Sequence, residues 1–266
     1  MGGQIRVLVH GALGKMGQAV IAAIERDSET VPVAGGDKTA SGDNVQIPGT
    51  SVLLPIVSDL ESLDDELEPE VLVDFSIAQA TLPAVRWAVG RGASFVVGTT
   101  GLNTADVEEM RKLATRHKVG GVVASNFALG AVILMSLAEK AAMHFDYSEV
   151  IETHHEAKID APSGTAITTA RRMADARGKA FERNVPRKES LPGAHNAEVE
   201  GITIHSLRLP GSMAQHEVIF GAPGQTLSIK HDTINRECYG PGILLAIKHV
   251  VQHKGFVYGL DGLLGL

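Results

Sequence analysis

Four short runs in the first half of the chain are apolar at nearly every position: "IRVLVH", "VLVDF", "SFVVG" and "GVVAS". Such runs fit strands covered on both faces, as in a parallel sheet. Between them lie stretches with helical spacing of apolar residues, such as "AQATLPAVRWAVGRG" and "NTADVEEMRKLATRHK". Strand and helix alternating in this way predict a doubly wound, Rossmann-like α/β domain.

Past about Asn126 the pattern changes. It predicts a helix over Ala128 to His144, a strand at "SEVIETHH", and a second helix from Pro162 to Arg177. A polar, proline-bearing segment, "RGKAFERNVPRKESLPGAHNAEVEG", follows. Three strand-like runs, "ITIHSLRL", "HEVIFG" and "QTLSIKHDT", are separated by glycine-rich turns. Strands clustered like this predict a mixed or antiparallel sheet, hence a second, α+β domain. The tail "CYGPGILLAIKHVVQHKG" reads as an amphipathic helix introduced by Pro241.

Composition narrows the function classes. The 266 residues suffice for one large or two ordinary domains, and the formal charge of −7 argues against general affinity for nucleic acid or anionic membrane. Cys238 is the only cysteine, which excludes an intrachain disulfide or a multi-cysteine metal site and fits a reducing cytoplasm. The most apolar segment, "FALGAVILMSLAEKAAMHF", is interrupted by Ser136, Glu139 and Lys140, short of the roughly 20 apolar residues a span requires. The opening "MGGQIRVLVHG" has too short an apolar run for a signal peptide. A soluble protein is expected.

The first candidate chemistry lies in "VLVHGALGKMGQAVIAAIER", which reads strand, glycine turn, helix. Gly11 suits the tight turn, Gly14 a close approach of backbone to a pyrophosphate, and Gly17 close packing of helix on sheet. Free amides and the helix dipole would then hold the phosphates. Asp37 follows at the spacing, about 20 residues, where an acid grips the ribose hydroxyls of NAD. Lys38 beside it and Lys15 in the loop would offset its repulsion of the 2′-phosphate of NADP, so both cofactors are expected to work. "VVGTTG" and "VVASNF" each follow a buried strand. In a parallel sheet that is where ligands gather, and the small Gly98, Thr99 and Thr100 leave room for a nicotinamide ribose.

The second lies in "IETHHEAKIDAPSGTAI". On a strand, His154 and His155 point to opposite faces, so both reach one site only if the chain leaves the strand there. Lys158 and Asp160 are close by. "APSGTA" then begins a helix, with Pro162 expected in its first turn and the amides of Gly164 and Thr165, with the Ser163 and Thr165 hydroxyls, facing outward to a carboxylate or phosphate. An imidazole and an ammonium crowded together would each be the better proton donor near neutral pH. No H-E-x-x-H zinc helix or G-x-S-x-G elbow occurs, so neither a metal nor a serine nucleophile is expected.

The stretch "ETHHEAKIDAPSGTA" closely resembles the signature of the dihydrodipicolinate reductase family, now called 4-hydroxy-tetrahydrodipicolinate reductases, of diaminopimelate and lysine biosynthesis. The resemblance also covers "GALGKMG", "VDFS", "VVGTTG", "SNFALGAV", "GSMAQHEVIFG" and "IKHDTINR", in order along nearly the whole chain. It implies a dinucleotide-binding domain of residues 1–126 completed by 237–266, and a substrate-binding and tetramerisation domain of residues 127–236. It further implies NADH or NADPH as cofactor, a dicarboxylate substrate, a cytoplasmic homotetramer, His154 as acid/base residue and Lys158 as proton donor. His155, Gly164 and Thr165 match the substrate-carboxylate contacts. Gly11, Ala12, Leu13, Gly14, Lys15, Met16, Asp37, Gly98, Thr99, Thr100, Ala124, Ser125, Asn126 and Phe127 match the cofactor site. Lys38 falls where some relatives carry a basic residue for the NADP phosphate, whereas Leu13 stands where some have lysine. Two rivals are an aspartate-semialdehyde- or homoserine-type dehydrogenase and a non-catalytic NADH-sensing regulator. An aspartate-semialdehyde-type enzyme should show a cysteine nucleophile, which Cys238 fits poorly, and the regulator a DNA-binding segment, which charge and motifs do not supply.

Overall fold

The computed structural model describes residues 3–47, 49–191, 193 and 197–266. Pro192, Ala194, His195 and Asn196, inside the polar proline-bearing segment, lie outside the described residues, as do Met1, Gly2 and Pro48. The chain divides into two compact units, Met1–Leu129 with Arg236–Leu266, and Gly130–Asn235.

The first unit contains β1 (Ile5–His10), α1 (Lys15–Arg26), β2 (Thr30–Gly36), β3 (Asn44–Gln46), β4 (Leu53–Val57), β5 (Val71–Asp74), α2 (Ala78–Gly90), β6 (Ser94–Val97), α3 (Thr104–His117) and β7 (Gly120–Val123). After α4 (Leu129–Ala142), the second unit continues with β8 (Tyr147–His154), α5 (Gly164–Arg177), β9 (Glu198–Val199), β10 (Ile202–Arg208), β11 (Ala214–Ala222) and β12 (Gln225–Thr233). The chain then returns to the first unit with α6 (Gly240–Gln252), β13 (Gly255–Tyr258) and α7 (Asp261–Leu264).

The sheet of the first unit runs in the order β13-β7-β6-β5-β1-β2-β4-β3, parallel except for the edge strand β3. Val7, Leu8 and Val9, Val71, Leu72 and Val73, and Phe95, Val96 and Val97 are all fully buried. Both faces are therefore covered, which is why these strands read as unbroken apolar runs. Ala84, Val85 and Ala88 of α2 and Met110 and Ala114 of α3 pack with Leu8, Leu72 and Phe95, while α1 and α6 lie against each other and α6 packs on β5, β6 and β7. Strand order reverses around β1, which has β2 on one side and β5 on the other. The carboxyl ends of these strands form the crevice where open α/β sheets take ligands.

The sheet of the second unit has the order β12-β11-β8-β10-β9, with β8 and β10 parallel and the remaining pairs antiparallel. Along β8 and β11, Val150, Glu152, His216, Val218 and Phe220 are buried while their neighbours are less so. Phe145 and Phe181 pack against Phe220 with ring centroids 5.3 and 6.4 Å apart. The sheet is mixed, as the clustered runs predicted.

Candidate active site

At the first carboxyl-end crevice, Gly11 adopts φ +81°, and a Cβ there would lie 2.6 Å from the Phe75 carbonyl oxygen. A Cβ on Gly17 would lie 2.0 Å from the Gly11 oxygen, so the helix sits on the turn as closely as glycine permits. Gly14 is the N-cap of α1 and contributes no side-chain cap. The amides of Lys15, Met16 and Gly17, in the first turn, have no intrahelical acceptor and sit at the positive end of the helix dipole. This cradle fits the phosphates of a dinucleotide.

Asp37 closes the loop from the side. It accepts hydrogen bonds from the Leu13 amide (3.0 Å) and from the Thr39 amide and hydroxyl (3.0 and 2.7 Å). Burial works to raise this carboxyl, but those donors outweigh it and hold the group below its usual range. Asp37 and Lys38 line one cavity of about 330 Å³ with His10, Gly36 and Trp87. A second cavity, of about 260 Å³, is lined by Met16, Phe75, Ser76, Gly98, Thr99, Thr100, Ser125, Asn126, Phe127 and Tyr239. A Cβ on Gly98 would lie 2.2 Å from the Phe75 ring, which packs edge-on against Phe127 with centroids 5.7 Å apart. Ala12 and Ala124 are buried behind these walls, and Leu13 and Lys15 are exposed.

Sequence reading passed over the anchor between the two cavities. Asp74, at the end of β5, is fully buried; its carboxylate lies 2.7 Å from His10 Nδ1 and accepts from the hydroxyls of Ser76 (2.6 Å), Thr81 (2.6 Å) and Thr99 (2.8 Å). Although burial raises it, His10 and these hydroxyls keep it ionised, its pKa lowered. It fixes the Phe75–Ser76 turn and Thr99 together. The sign was an acid ending an apolar strand run, a common enough pattern to pass unread.

In the second unit, His154 is the last residue of β8, and His155 lies beyond it, exposed. The Lys158 amide donates to the His155 carbonyl at 3.1 Å, closing a turn with Glu156 and Ala157 at its tip. Lys158 Nζ lies 2.7 Å from Asp160 Oδ1 and holds that carboxyl below its usual range. His154 Nδ1 lies 2.5 Å from Glu152 Oε2. The imidazole and the ammonium each have a carboxylate partner, Glu152 and Asp160 respectively.

The helix start needs a correction. Ser163 is the N-cap of α5, its hydroxyl buried and accepting from the Ala166 amide at 3.2 Å, so Pro162 lies outside the helix and the Ser163 hydroxyl does not face outward. Gly164 and Thr165 occupy the first two helical positions, whose amides have no intrahelical partner. A Cβ on Gly164 would meet nothing within 4 Å, so the space beside its Cα is open.

Glu152 and Arg208 are the residues sequence reading missed here. Glu152 is fully buried and takes the Arg208 guanidinium in a fork, at 3.1 Å to Oε2 and 2.9 Å to Oε1. Burial raises this carboxyl, but His154 and Arg208 outweigh it and bring it down to about 2. Arg208 stands opposite His154 in the β8–β10 register, and His216 opposite Glu152 in the β8–β11 register. The spacing of Glu152 and His154, two apart on a strand, was the available signal.

Two family models match, "Dihydrodipicolinate reductase, N-terminus" over residues 5–127 and "Dihydrodipicolinate reductase, C-terminus" over residues 130–264. The chain belongs to the dihydrodipicolinate reductase family. It is 47% identical over 262 residues to the 4-hydroxy-tetrahydrodipicolinate reductase of Dehalococcoides mccartyi, covering 98% of this chain and 99% of that one. It is 44% identical over 264 residues to the reductase of Moorella thermoacetica, covering 98% of each. Among solved structures, the dipicolinate-bound dihydrodipicolinate reductase from Paenisporosarcina sp. TG-14 superposes with a TM-score of 0.86 at 36% identity, covering 97% of this chain and 99% of that one. The family's activity is an oxidoreductase step of lysine biosynthesis, reduction of 4-hydroxy-tetrahydrodipicolinate, and it is the activity of this chain. Both rival readings, the aspartate-semialdehyde- or homoserine-type dehydrogenase and the NADH-sensing regulator, give way to it.

Proposed function

We propose that this dihydrodipicolinate reductase uses NADH or NADPH, held by the first unit, and carries the proton-handling side chains and the carboxylate clamp on the second. The substrate is a cyclic dicarboxylate that loses water to give a conjugated imine. A nicotinamide held by the first unit would supply the hydride. A proton must then reach the ring carbon next to the one reduced.

In the second unit, His154 is the acid/base residue and Lys158 the proton donor. The observation that carries this reading is the contact of His154 Nδ1 with the buried Glu152 carboxylate, which leaves Nε2 as the nitrogen that faces substrate. The Gly164 and Thr165 amides, with His155, take a substrate carboxylate. Dipicolinate, a planar dicarboxylate bound by the Paenisporosarcina relative, supports a site of this charge. In the first unit, the Gly11–Met16 loop holds the pyrophosphate and Asp37 the adenosine ribose. Gly98–Thr100 and Ala124–Phe127 border the nicotinamide end. Lys38, in the cavity with Asp37, offsets the repulsion of a 2′-phosphate, so the preference between the cofactors stays within a thousandfold. The resemblance extends this proposal to a cytoplasmic homotetramer, which sedimentation would measure.

Oxidation of NADH and NADPH with freshly synthesised 4-hydroxy-tetrahydrodipicolinate tests the assignment. His154→Ala should lower kcat by about 10²–10⁴-fold, the range for lost general-acid assistance, with cofactor affinity unchanged. Undiminished turnover would remove His154 from the mechanism.

A further inference from the structure

The fully buried Glu152 contacts His154, the Ser163 amide and Arg208. Its Oε2 holds His154 Nδ1 at 2.5 Å, and its Oε1 accepts from the Ser163 amide at 3.2 Å, at the entrance of α5. Arg208, forked onto both carboxylate oxygens, also donates from Nη2 to the Asp160 carbonyl at 2.6 Å. One carboxylate therefore ties together the imidazole, the segment that carries Lys158, and the helix start that presents Gly164 and Thr165.

Stability alone is a weak reason for such an arrangement. A buried ion pair is often no more stabilising than apolar side chains of the same volume, because desolvation offsets the attraction. What it does provide is geometry: a carboxylate on one ring nitrogen keeps a proton there and fixes the rotation of the ring, so the other nitrogen addresses the substrate in one tautomer. The arginine fork fixes the carboxylate in turn, since two parallel hydrogen bonds define its plane.

We propose that Glu152, held by Arg208, is a positioning residue for the reduction: it orients His154 through Nδ1 and keeps the Lys158 segment and the α5 amides in register with it. The proposal rests on the assignment of His154 above. Glu152 itself does not touch the reacting atoms.

The test is a mutant cycle read in kcat and KM with the wild type, Glu152→Gln, Glu152→Asp, His154→Ala and the double variant E152Q/H154A. Glu152→Gln should lower kcat by about 10–100-fold, the usual loss on removing the outer partner of a functional imidazole, and leave KM for NADH unchanged. Glu152→Asp, which keeps the charge on a shorter stem, should recover part of that loss. In the His154→Ala background the same Glu152→Gln change should cost less than about threefold in kcat, because the ring it orients is gone. Wild-type kcat in Glu152→Gln would overturn the proposal. So would an equal loss with and without His154, the mark of a merely structural role. Full turnover in His154→Ala would instead overturn the reading on which the proposal rests. Melting curves and NADH binding establish that each variant is folded. If Glu152→Gln is not, the cycle runs with Glu152→Asp and E152D/H154A, against the same non-additivity criterion.

Discussion

Glu152 and His216 stand opposite one another on β8 and β11, and acid acts on both in the same direction. Burial pushes His216 down to about 4. Below the ordinary value near 6.5 the unfolded chain takes up a proton that the folded one refuses, so stability falls as pH drops from about 6.5 toward 4. Glu152, held at about 2 by His154 and Arg208 against the opposing effect of burial, contributes stability above its ordinary value near 4.5 and loses it as pH falls further. Urea unfolding of the wild type should therefore weaken between pH 6.5 and 4. His216→Gln should show a flatter dependence over that window; an unchanged slope would mean that another group carries it. At this scale the sequence was legible for the loop glycines, Gly11 in its tight turn and Gly17 under the closely packed helix. It was not legible for Arg208, whose meaning depends on β10 pairing with β8 and bringing it back to Glu152.

Among the elements, α5 shows how a local signal can be placed slightly wrong. Proline suits the first helical turn, so Pro162 invited a helix starting there. Serine is the better N-cap, and with Ser163 in that role the helix starts at Gly164 instead. The shift matters because it turns the Ser163 hydroxyl inward and removes it from the groups expected to meet an anion. Ser163→Ala should cost about 1 kcal/mol of stability, the typical value of a lost cap. It should also raise the substrate KM more than it lowers kcat, since the amides loosen while His154 keeps its partner. Denaturant unfolding and steady-state kinetics check the two halves. An unaltered KM would separate the cap from the anion site. The edge strands β3 and β13, and β4 beside β3, had weaker signatures: β3 has only three residues and β4 includes Pro55.

For the molecule as a whole, the first unit is assembled from both ends of the chain. Ile243, Ala246, Ile247 and Val250 of α6 are buried, and β13 extends the sheet beside β7. The fit is close enough that a Cβ on Gly120 would lie 2.1 Å from the Val250 carbonyl oxygen, and one on Gly242 2.1 Å from that of Phe127. The Ser94 hydroxyl donates to the Val250 oxygen at 3.0 Å. A chain ending at Asn235 should therefore lose NADH binding and expose the apolar surface that α6 covers. Calorimetric titration of NADH and dye binding to apolar surface would report both, and a truncated chain that binds NADH like the full one would contradict the assembly.

Binary patterning by itself determined the fold class, because a strand buried on both faces must be apolar throughout and a glycine turn into a helix has few alternatives. The sequence also marked the stretch proposed above to carry the chemistry, since histidines, lysine and a helix start were adjacent in the chain. Only the tertiary structure decided what surrounds them. The Arg208 guanidinium on Glu152, the Asp74 anchor with His10 and Thr99, and the Phe75 ring against Gly98 join residues far apart in sequence, and the Glu152–His154 contact, local to β8, is buried by the strands beside it. Burial there makes each contact strong and each unpaired group costly, and which polar side chains become buried is decided by packing.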